Sequence, residues 1–124
     1  MNRKKILIID DEENFTKLIK LNLEQTGKYE VKTENRGSLG FAMAQEFKPD
    51  LILLDVMMPD VDGGDICYQL QDDKATKDIP IVFLTAVIKG EEVKKNKGII
   101  GGHSFIAKPV DIDQLIEVIE DNIY

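Results

Sequence analysis

The 124-residue sequence contains no tryptophan, one cysteine and one histidine. Because Cys67 is the only thiol, the chain can form neither an internal disulfide nor a multi-cysteine zinc cluster, and we expect Cys67 to be a small packed hydrophobe. His103 follows glycines and precedes an apolar segment. We interpret it as a solvated loop residue rather than a phosphohistidine or a metal ligand.

Long apolar runs are also missing. No stretch approaches the roughly 18–20 residues of a membrane span, and Met1–Lys5 leads into a short apolar segment rather than a signal peptide. We therefore expect a cytoplasmic protein without membrane contact. Basic residues are outnumbered 16 to 23 by acidic ones, which gives a net charge of −7. Such a field repels phosphate backbones and argues against direct nucleic-acid binding by this domain.

The chain is large enough for one hydrophobic core, since 43% of its residues are apolar and domains cluster around roughly 100–150 residues. A second folded domain has no room. We expect residues 1–124 to form a single domain.

Short apolar runs alternate with segments of helical spacing. The runs are typical of strands buried on both faces; they are Lys5–Ile9, Leu51–Leu54, Ile81–Leu84 and, more weakly, Ser104–Ala107, with Tyr29–Glu34 as a less apolar fifth. Helical spacing connects Phe15, Leu18, Ile19 and Leu23; Leu39, Ala42, Met43 and Phe47; and Ile112, Leu115, Ile116 and Ile119. Boundaries are indicated by Gly27, Pro49, Pro80 and an Asp111/Gln114 capping box. This order predicts an α/β fold, with a doubly wound five-stranded parallel sheet and helices on both faces.

Polar residues follow four of the predicted strands. Asp10 and Asp11 follow the first, Asp55 the third, Thr85 the fourth and Lys108 the fifth. Because the carboxyl ends of parallel strands share one edge of the sheet, these side chains should converge. Three carboxylates so close repel one another and need a cation. We expect Mg2+, with Mn2+ as a substitute, because a hard ion suits an oxygen-rich site.

Asp55 has the placement of a nucleophile, because it ends a buried strand. A carboxylate can accept a phosphoryl group and form an acyl phosphate. That transfer depends mainly on charge neutralisation and positioning. Lys108 supplies an ammonium group for this purpose, and the Thr85 hydroxyl can hydrogen-bond a phosphate oxygen.

These motifs resemble the receiver domain of bacterial response regulators, in the CheY-like superfamily. The resemblance covers the whole chain and rests on Ile8–Glu12, Pro49–Gly63, Leu84–Ala86 and Lys108–Pro109. It implies a flavodoxin-like sheet of order 2-1-3-4-5 with five helices. It also implies a two-component phosphorelay role, with phosphoryl transfer from a sensor histidine kinase or a phosphotransfer protein.

The resemblance further assigns roles by position. Asp11 and Asp55 would ligate Mg2+ directly, Asp10 largely through water and Met57 through its backbone carbonyl. Lys108 would pair with Asp55 and then with the phosphate, next to a Lys108–Pro109 peptide that is often cis in the family. Thr85 and Phe105 would form the switch that responds to phosphorylation. Pro59, Asp60, Asp62 and Gly63 are assigned to turn structure.

On the output side, the resemblance implies that the face of the fourth helix, fifth strand and fifth helix controls a downstream effector domain or protein, and forms a homodimer on phosphorylation. The glycines of Lys89–Gly102 indicate a short or mobile fourth helix. A stand-alone receiver and an amino-terminal piece of a longer regulator both remain open. Beyond self-phosphorylation and autodephosphorylation, we expect no enzymatic activity.

Three alternatives share parts of this pattern. A haloacid-dehalogenase-like phosphatase would place its nucleophile after the first strand in an Asp-x-Asp arrangement, which Asp10–Glu12 does not match. A degenerate receiver would lack part of the acidic, Thr and Lys set. A flavodoxin-like electron carrier would need a phosphate-cradling loop after the first strand, where this chain has carboxylates.

Overall fold

The computed structural model describes residues 3–86, 99–100 and 103–123. Its strands are β1 (Lys4–Ile9), β2 (Tyr29–Glu34), β3 (Leu51–Asp55), β4 (Ile81–Thr85), β5 (Ile99–Ile100) and β6 (His103–Ala107). Its α-helices are α1 (Glu13–Gln25), α2 (Gly40–Phe47), α3 (Gly63–Gln71) and α4 (Ile112–Ile123), and a short 3-10 helix, Gly37–Leu39, precedes α2. Among the helices of these residues, none has both the length and the apolarity that a bilayer span requires.

The strands form one sheet in the order β2-β1-β3-β4-β6-β5. All neighbouring pairs are parallel except β5, which runs antiparallel to β6. The five parallel strands therefore confirm the predicted order 2-1-3-4-5. The two-residue β5 was not predicted, and it occupies part of the glycine-rich stretch assigned to the fourth helix. The rest of that stretch, residues 89–98 and 101–102, lies outside the described part of the chain.

Apolar side chains leave the sheet on both faces. Along β1, Ile6 and Ile8 pack with residues of α1 and α4, whereas Leu7 and Ile9 pack with residues of α2 and α3. All four are completely buried. Full burial of such a side chain stabilises the fold by about 1.5–3 kcal/mol. Cover on both faces explains why the strands read as continuous apolar runs rather than alternating ones.

The helical predictions hold best for α4, which buries Leu115 and Ile119. Asp111 caps it, since its Oδ1 accepts a hydrogen bond from the Asp113 backbone N–H at 2.9 Å. Three other residues of the helical spacing are exposed. Leu18 is 57% exposed because α1 turns Ile19 and Leu23 inward instead. Ala42 is exposed because α2 buries Ala44 in its place, and Leu39 is 45% exposed because it ends the 3-10 helix and is not part of α2.

Cys67 is buried in α3 and belongs to the cluster that fills this face of the sheet, which confirms its assignment as a packed hydrophobe. The prediction that His103 is a solvated loop residue is wrong. His103 begins β6 and is partly buried, with its ring edge-on to Phe83 at 5.5 Å and its Nε2 3.1 Å from Gln71 Nε2. Antiparallel pairing of His103 with Ile100 draws it out of the loop and into the sheet.

Candidate functional site

Strand register brings the predicted residues to one edge of the sheet. The last residues of neighbouring strands are paired or offset by one position, so that whatever follows them emerges together. The pairs that define this register are Ile9 with Leu54, Asp55 with Leu84, and Thr85 with Ala107. The Lys108 backbone N–H continues the ladder by donating to the Thr85 carbonyl at 2.9 Å.

Three carboxylates meet there. Asp10, Asp11 and Asp55 each place one oxygen within 4.8 Å of the others. Asp10 is completely buried and Asp55 is 5% exposed, whereas Asp11 is exposed to solvent. The Glu12 backbone N–H donates to Asp10 Oδ1 at 3.0 Å and thereby fixes one end of the cluster. A set of oxygen donors this close fits a hard divalent cation, so these three residues could hold a metal ion.

The electrostatics of Asp55 follow from that crowding. Burial, followed by the negative charge of Asp10, raises the pKa of Asp55 to about 7, against 3.8 for an ordinary aspartate. Lys108 opposes the shift and Asp11 adds to it. Without a bound cation, the Asp55 carboxyl is therefore partly protonated near neutral pH.

Lys108 reaches the cluster from β6. Its Nζ lies 2.7 Å from Asp10 Oδ2, 3.2 Å from Glu12 Oε1 and 3.9 Å from Asp55 Oδ1. Burial lowers the pKa of Lys108. The contact with Asp10 and the charges of Asp10 and Asp55 outweigh burial and raise this pKa above its usual value. The expected neighbour Asp55 is present, but Asp10 is the closer partner. The Lys108–Pro109 peptide is cis, as the resemblance implied.

The loop after Asp55 is held by turn chemistry. Asp62 caps α3, since its Oδ1 accepts the Gly64 backbone N–H at 2.8 Å. Asp60 Oδ2 accepts the Ser38 backbone N–H at 2.9 Å, and that hydrogen bond lowers the pKa of Asp60. The backbone of Met57 pairs with that of Asp62, while the Met57 side chain is 64% exposed. The role of the Met57 carbonyl as a metal ligand stays a prediction.

Gly63 lies where no side chain fits. A Cβ on this residue would overlap the Asp55 carbonyl oxygen and come within 2.9 Å of the Val56 Cα. We expect Gly63→Ala to cost about 1–3 kcal/mol of unfolding free energy, because backbone atoms cannot move aside as a side chain can. Urea unfolding measures this. Gly64→Ala is the control, since its Cβ would meet only the Asp62 carboxylate; equal losses in both variants would contradict the steric argument.

The two proposed switch residues occupy neighbouring strands. Thr85 ends β4 and is buried, beside the pairing of Asp55 with Leu84. Phe105 lies in β6, partly buried, with its ring stacked on that of Phe83 at a centroid distance of 5.0 Å. Their assignment to a phosphorylation switch remains a prediction.

Sequence reasoning missed a polar bridge behind the cluster. Asn35 directly follows β2, and its amide donates to the Asp10 carbonyl at 2.9 Å and to the Thr16 hydroxyl at 3.0 Å. Thr16 is buried and in turn donates to the Glu13 carbonyl. The signal was available, since Asn35 also stands at the carboxyl end of a strand. Glu12 was likewise visible within the Asp10–Glu12 motif but received no role.

Comparison with known proteins identifies the family. A family model described as "Response regulator receiver domain" matches residues 6–120. The chain is 40% identical over 113 residues to the "DNA-binding dual master transcriptional regulator RpaA" of Synechocystis, covering 90% of this chain and 46% of that protein. It is 34% identical to the "Polar-differentiation response regulator DivK" of Brucella anthropi, covering 94% of each. The chain thus spans under half of RpaA but nearly all of DivK.

Solved structures of receiver proteins resemble this chain over nearly its whole length. The Vibrio cholerae chemotaxis protein CheY4 superposes with a TM-score of 0.81 at 27% identity, covering 97% of this chain and 98% of that one. The amino-terminal domain of a response regulator receiver protein from Methanoculleus marisnigri gives 0.70 at 34% identity, covering 94% of each. The match favours the receiver interpretation over a phosphatase or an electron carrier. This chain belongs to the response regulator receiver domain family, the phosphoacceptor modules of two-component signalling.

Proposed function

We propose that Asp55 is the phosphoacceptor, that Asp10, Asp11, Asp55 and the Met57 carbonyl hold Mg2+ beside it, and that Lys108 and Thr85 bind the phosphoryl group. The observation that carries the proposal is the meeting of three carboxylates and one ammonium group at the strand ends, with the Asp55 side chain only 7% exposed. Mn2+, which accepts similar oxygen ligands, would substitute for Mg2+.

The transfer itself is a displacement at phosphorus. A carboxylate oxygen of Asp55 forms a bond to phosphorus, the phosphorus–nitrogen bond of a donor phosphohistidine breaks, and the histidine leaves with the electron pair. Bound Mg2+ would supply charge neutralisation for the phosphate oxygens and for the carboxylates. The product is an acyl phosphate on Asp55.

Asp55 must be ionised for this step. Only the ionised carboxylate is nucleophilic, and with its pKa raised to about 7 the Asp55 carboxyl of the free site is partly protonated near neutral pH. A cation that replaces this proton leaves Asp55 ionised. The ammonium of Lys108, 3.9 Å from Asp55 Oδ1, is within a short movement of a phosphate oxygen.

The response would begin at Thr85. A new dianion on Asp55 would attract the Thr85 hydroxyl and the Lys108 ammonium. Phosphorylation would therefore act directly on the ends of β4 and β6. Phe105 lies in β6, three residues before Lys108, and would change rotamer with them. The consequence would be an altered surface around β6 and α4, which would control an effector and favour a homodimer.

The partners follow from the same chemistry. The phosphoryl donor would be a sensor histidine kinase or a phosphotransfer protein in the cytoplasm. Several relatives are named as transcriptional regulators and are longer than this chain. An effector domain in the same chain and a separate effector protein are therefore both consistent with the proposal, and direct DNA contact by the receiver is opposed by its charge of −7. We expect no other catalytic activity than self-phosphorylation and autodephosphorylation.

The test is the intact mass of the protein after incubation with acetyl phosphate. We expect one phosphoryl adduct that requires Mg2+, disappears when the metal is chelated and is labile to hydroxylamine, as acyl phosphates are. Peptide mapping should place it on Asp55. Failure to form an adduct with acetyl phosphate and with several histidine kinases would favour a binding module that works without phosphorylation.

A further inference from the structure

Among the described residues, Lys108 also lies close to one further carboxylate and one aromatic ring. Its Nζ lies 3.2 Å from Glu12 Oε1 and 4.6 Å from the centroid of the Phe15 ring. A carboxylate and an aromatic face both attract an ammonium ion. We call Glu12 and Phe15 the lysine seat.

The seat is fixed to the acidic cluster. Glu12 is the N-cap residue of α1, and its backbone N–H donates to Asp10 Oδ1 at 3.0 Å. Phe15 is partly buried against the core cluster that includes Ile19. The Glu12 backbone and the Phe15 ring are therefore held at the start of α1, so the seat stays on that side of Lys108.

The ammonium is closer to Asp10 and Glu12 than to the acceptor. The distances from Lys108 Nζ are 2.7 Å to Asp10, 3.2 Å to Glu12 and 3.9 Å to Asp55. Any movement of Lys108 toward a phosphoryl group on Asp55 must weaken the contacts with the seat.

We propose that Glu12 and Phe15 are positioning residues that hold the Lys108 ammonium toward α1 in the unphosphorylated protein and so oppose its capture by the phosphoryl group on Asp55. This inference rests on the proposed function. The seat would shift the equilibrium between Lys108 held near α1 and Lys108 bound to the phosphoryl group, without itself contacting the phosphate.

The expected size is modest. The Glu12 side chain is 63% exposed, so its ion pair with Lys108 is worth about a two- to fivefold change in an equilibrium constant. A partly exposed ammonium over an aromatic ring is worth about the same.

The test is the affinity for beryllofluoride, which mimics a phosphoryl group on a carboxylate, titrated by fluorine NMR at saturating Mg2+. We expect Glu12→Gln to bind it about threefold more tightly than the unchanged protein. The matched control is Glu13→Gln, which removes the same charge from the adjacent exposed position. Equal affinities in the two variants would overturn the proposal, because a general change of field would then account for both.

A second measurement separates contact from field without metal or phosphate. In a double-mutant cycle of urea unfolding on metal-free protein, Glu12→Gln and Lys108→Gln should be coupled, whereas Glu13→Gln and Lys108→Gln should be additive. Additivity in both cycles would also overturn the seat. Failure of the proposed function gives a different result, because the unchanged protein would then neither bind beryllofluoride nor form an adduct on Asp55.

Discussion

Asp55→Asn is expected to abolish the acetyl phosphate adduct completely. The substitution keeps the shape of the side chain but replaces the ionised oxygen by a neutral amide, which is too weak a nucleophile to attack phosphorus. It also removes one of the three carboxylates that meet within 4.8 Å, so the cluster loses part of its capacity for a cation. Intact-mass measurement after a fixed incubation gives the result directly.

The control for this loss is Asp65→Asn. Asp65 is an exposed aspartate in the first turn of α3 and lies outside the three-carboxylate cluster. It should leave the adduct unchanged in amount and in its requirement for Mg2+. An adduct that persists in Asp55→Asn at normal yield would mean that another side chain is the acceptor, and the site assignment would have to be abandoned.

The second large effect is on stability without metal. The pKa of Asp55 is about 7 in the folded chain against 3.8 ordinarily, so between these values the folded state holds a proton that the unfolded state has released. The free energy of unfolding contributed by this group therefore falls as pH rises from about 4 to about 7, on the order of a few kcal/mol in total. Above about pH 7 the full penalty is present.

Asp55→Asn should remove this dependence. At pH 8 in a chelator, we expect the variant to be more stable than the unchanged protein by roughly 2 kcal/mol, and its stability to vary less between pH 5 and pH 8. Urea unfolding at several pH values measures both quantities, with Asp65→Asn as the control. A variant that follows the same pH curve as the unchanged protein would show that burial and Asp10 do not penalise the Asp55 charge.

Adding Mg2+ should reduce or reverse the difference in unfolding free energy between Asp55→Asn and the unchanged protein. A ligand that binds only the folded chain stabilises it by about 2.7 kcal/mol at a hundred times its dissociation constant. The unchanged protein offers three carboxylates and should gain this in full, while the Asn variant should gain much less. The change in the stability difference between the two proteins on addition of Mg2+ then reports whether the cluster binds the ion.

Much of this site could be predicted because parallel strands impose a simple geometry. Asp10, Asp55, Thr85 and Lys108 each end or follow a strand, and the register alone brings them to one edge. The partners of Lys108 were beyond that rule. Its preference for Asp10 over Asp55 depends on the angle of a long side chain across the sheet, which a sequence pattern does not encode.

The errors in the fold have local causes. The apolar spacing of α1 included Leu18, but a helix buries only the stripe that meets the sheet, and a residue one position away remains outside. His103 was predicted to lie in a loop because it follows glycines and precedes an apolar segment. The pairing of Ile100 with His103 then draws this residue into the sheet, and such pairing is decided by tertiary contacts.

The loop between Asp55 and α3 is closed on itself. The Gly63 backbone N–H donates to the Val56 carbonyl at 2.8 Å, and Met57 pairs with Asp62 just inside that bond. Because both pairings hold the ends of the loop together, an added or deleted residue would have to be accommodated within the short tip Met58–Val61. Divergence between related proteins at this point should therefore proceed by exchange of the outward side chains, with insertions and deletions confined to other loops.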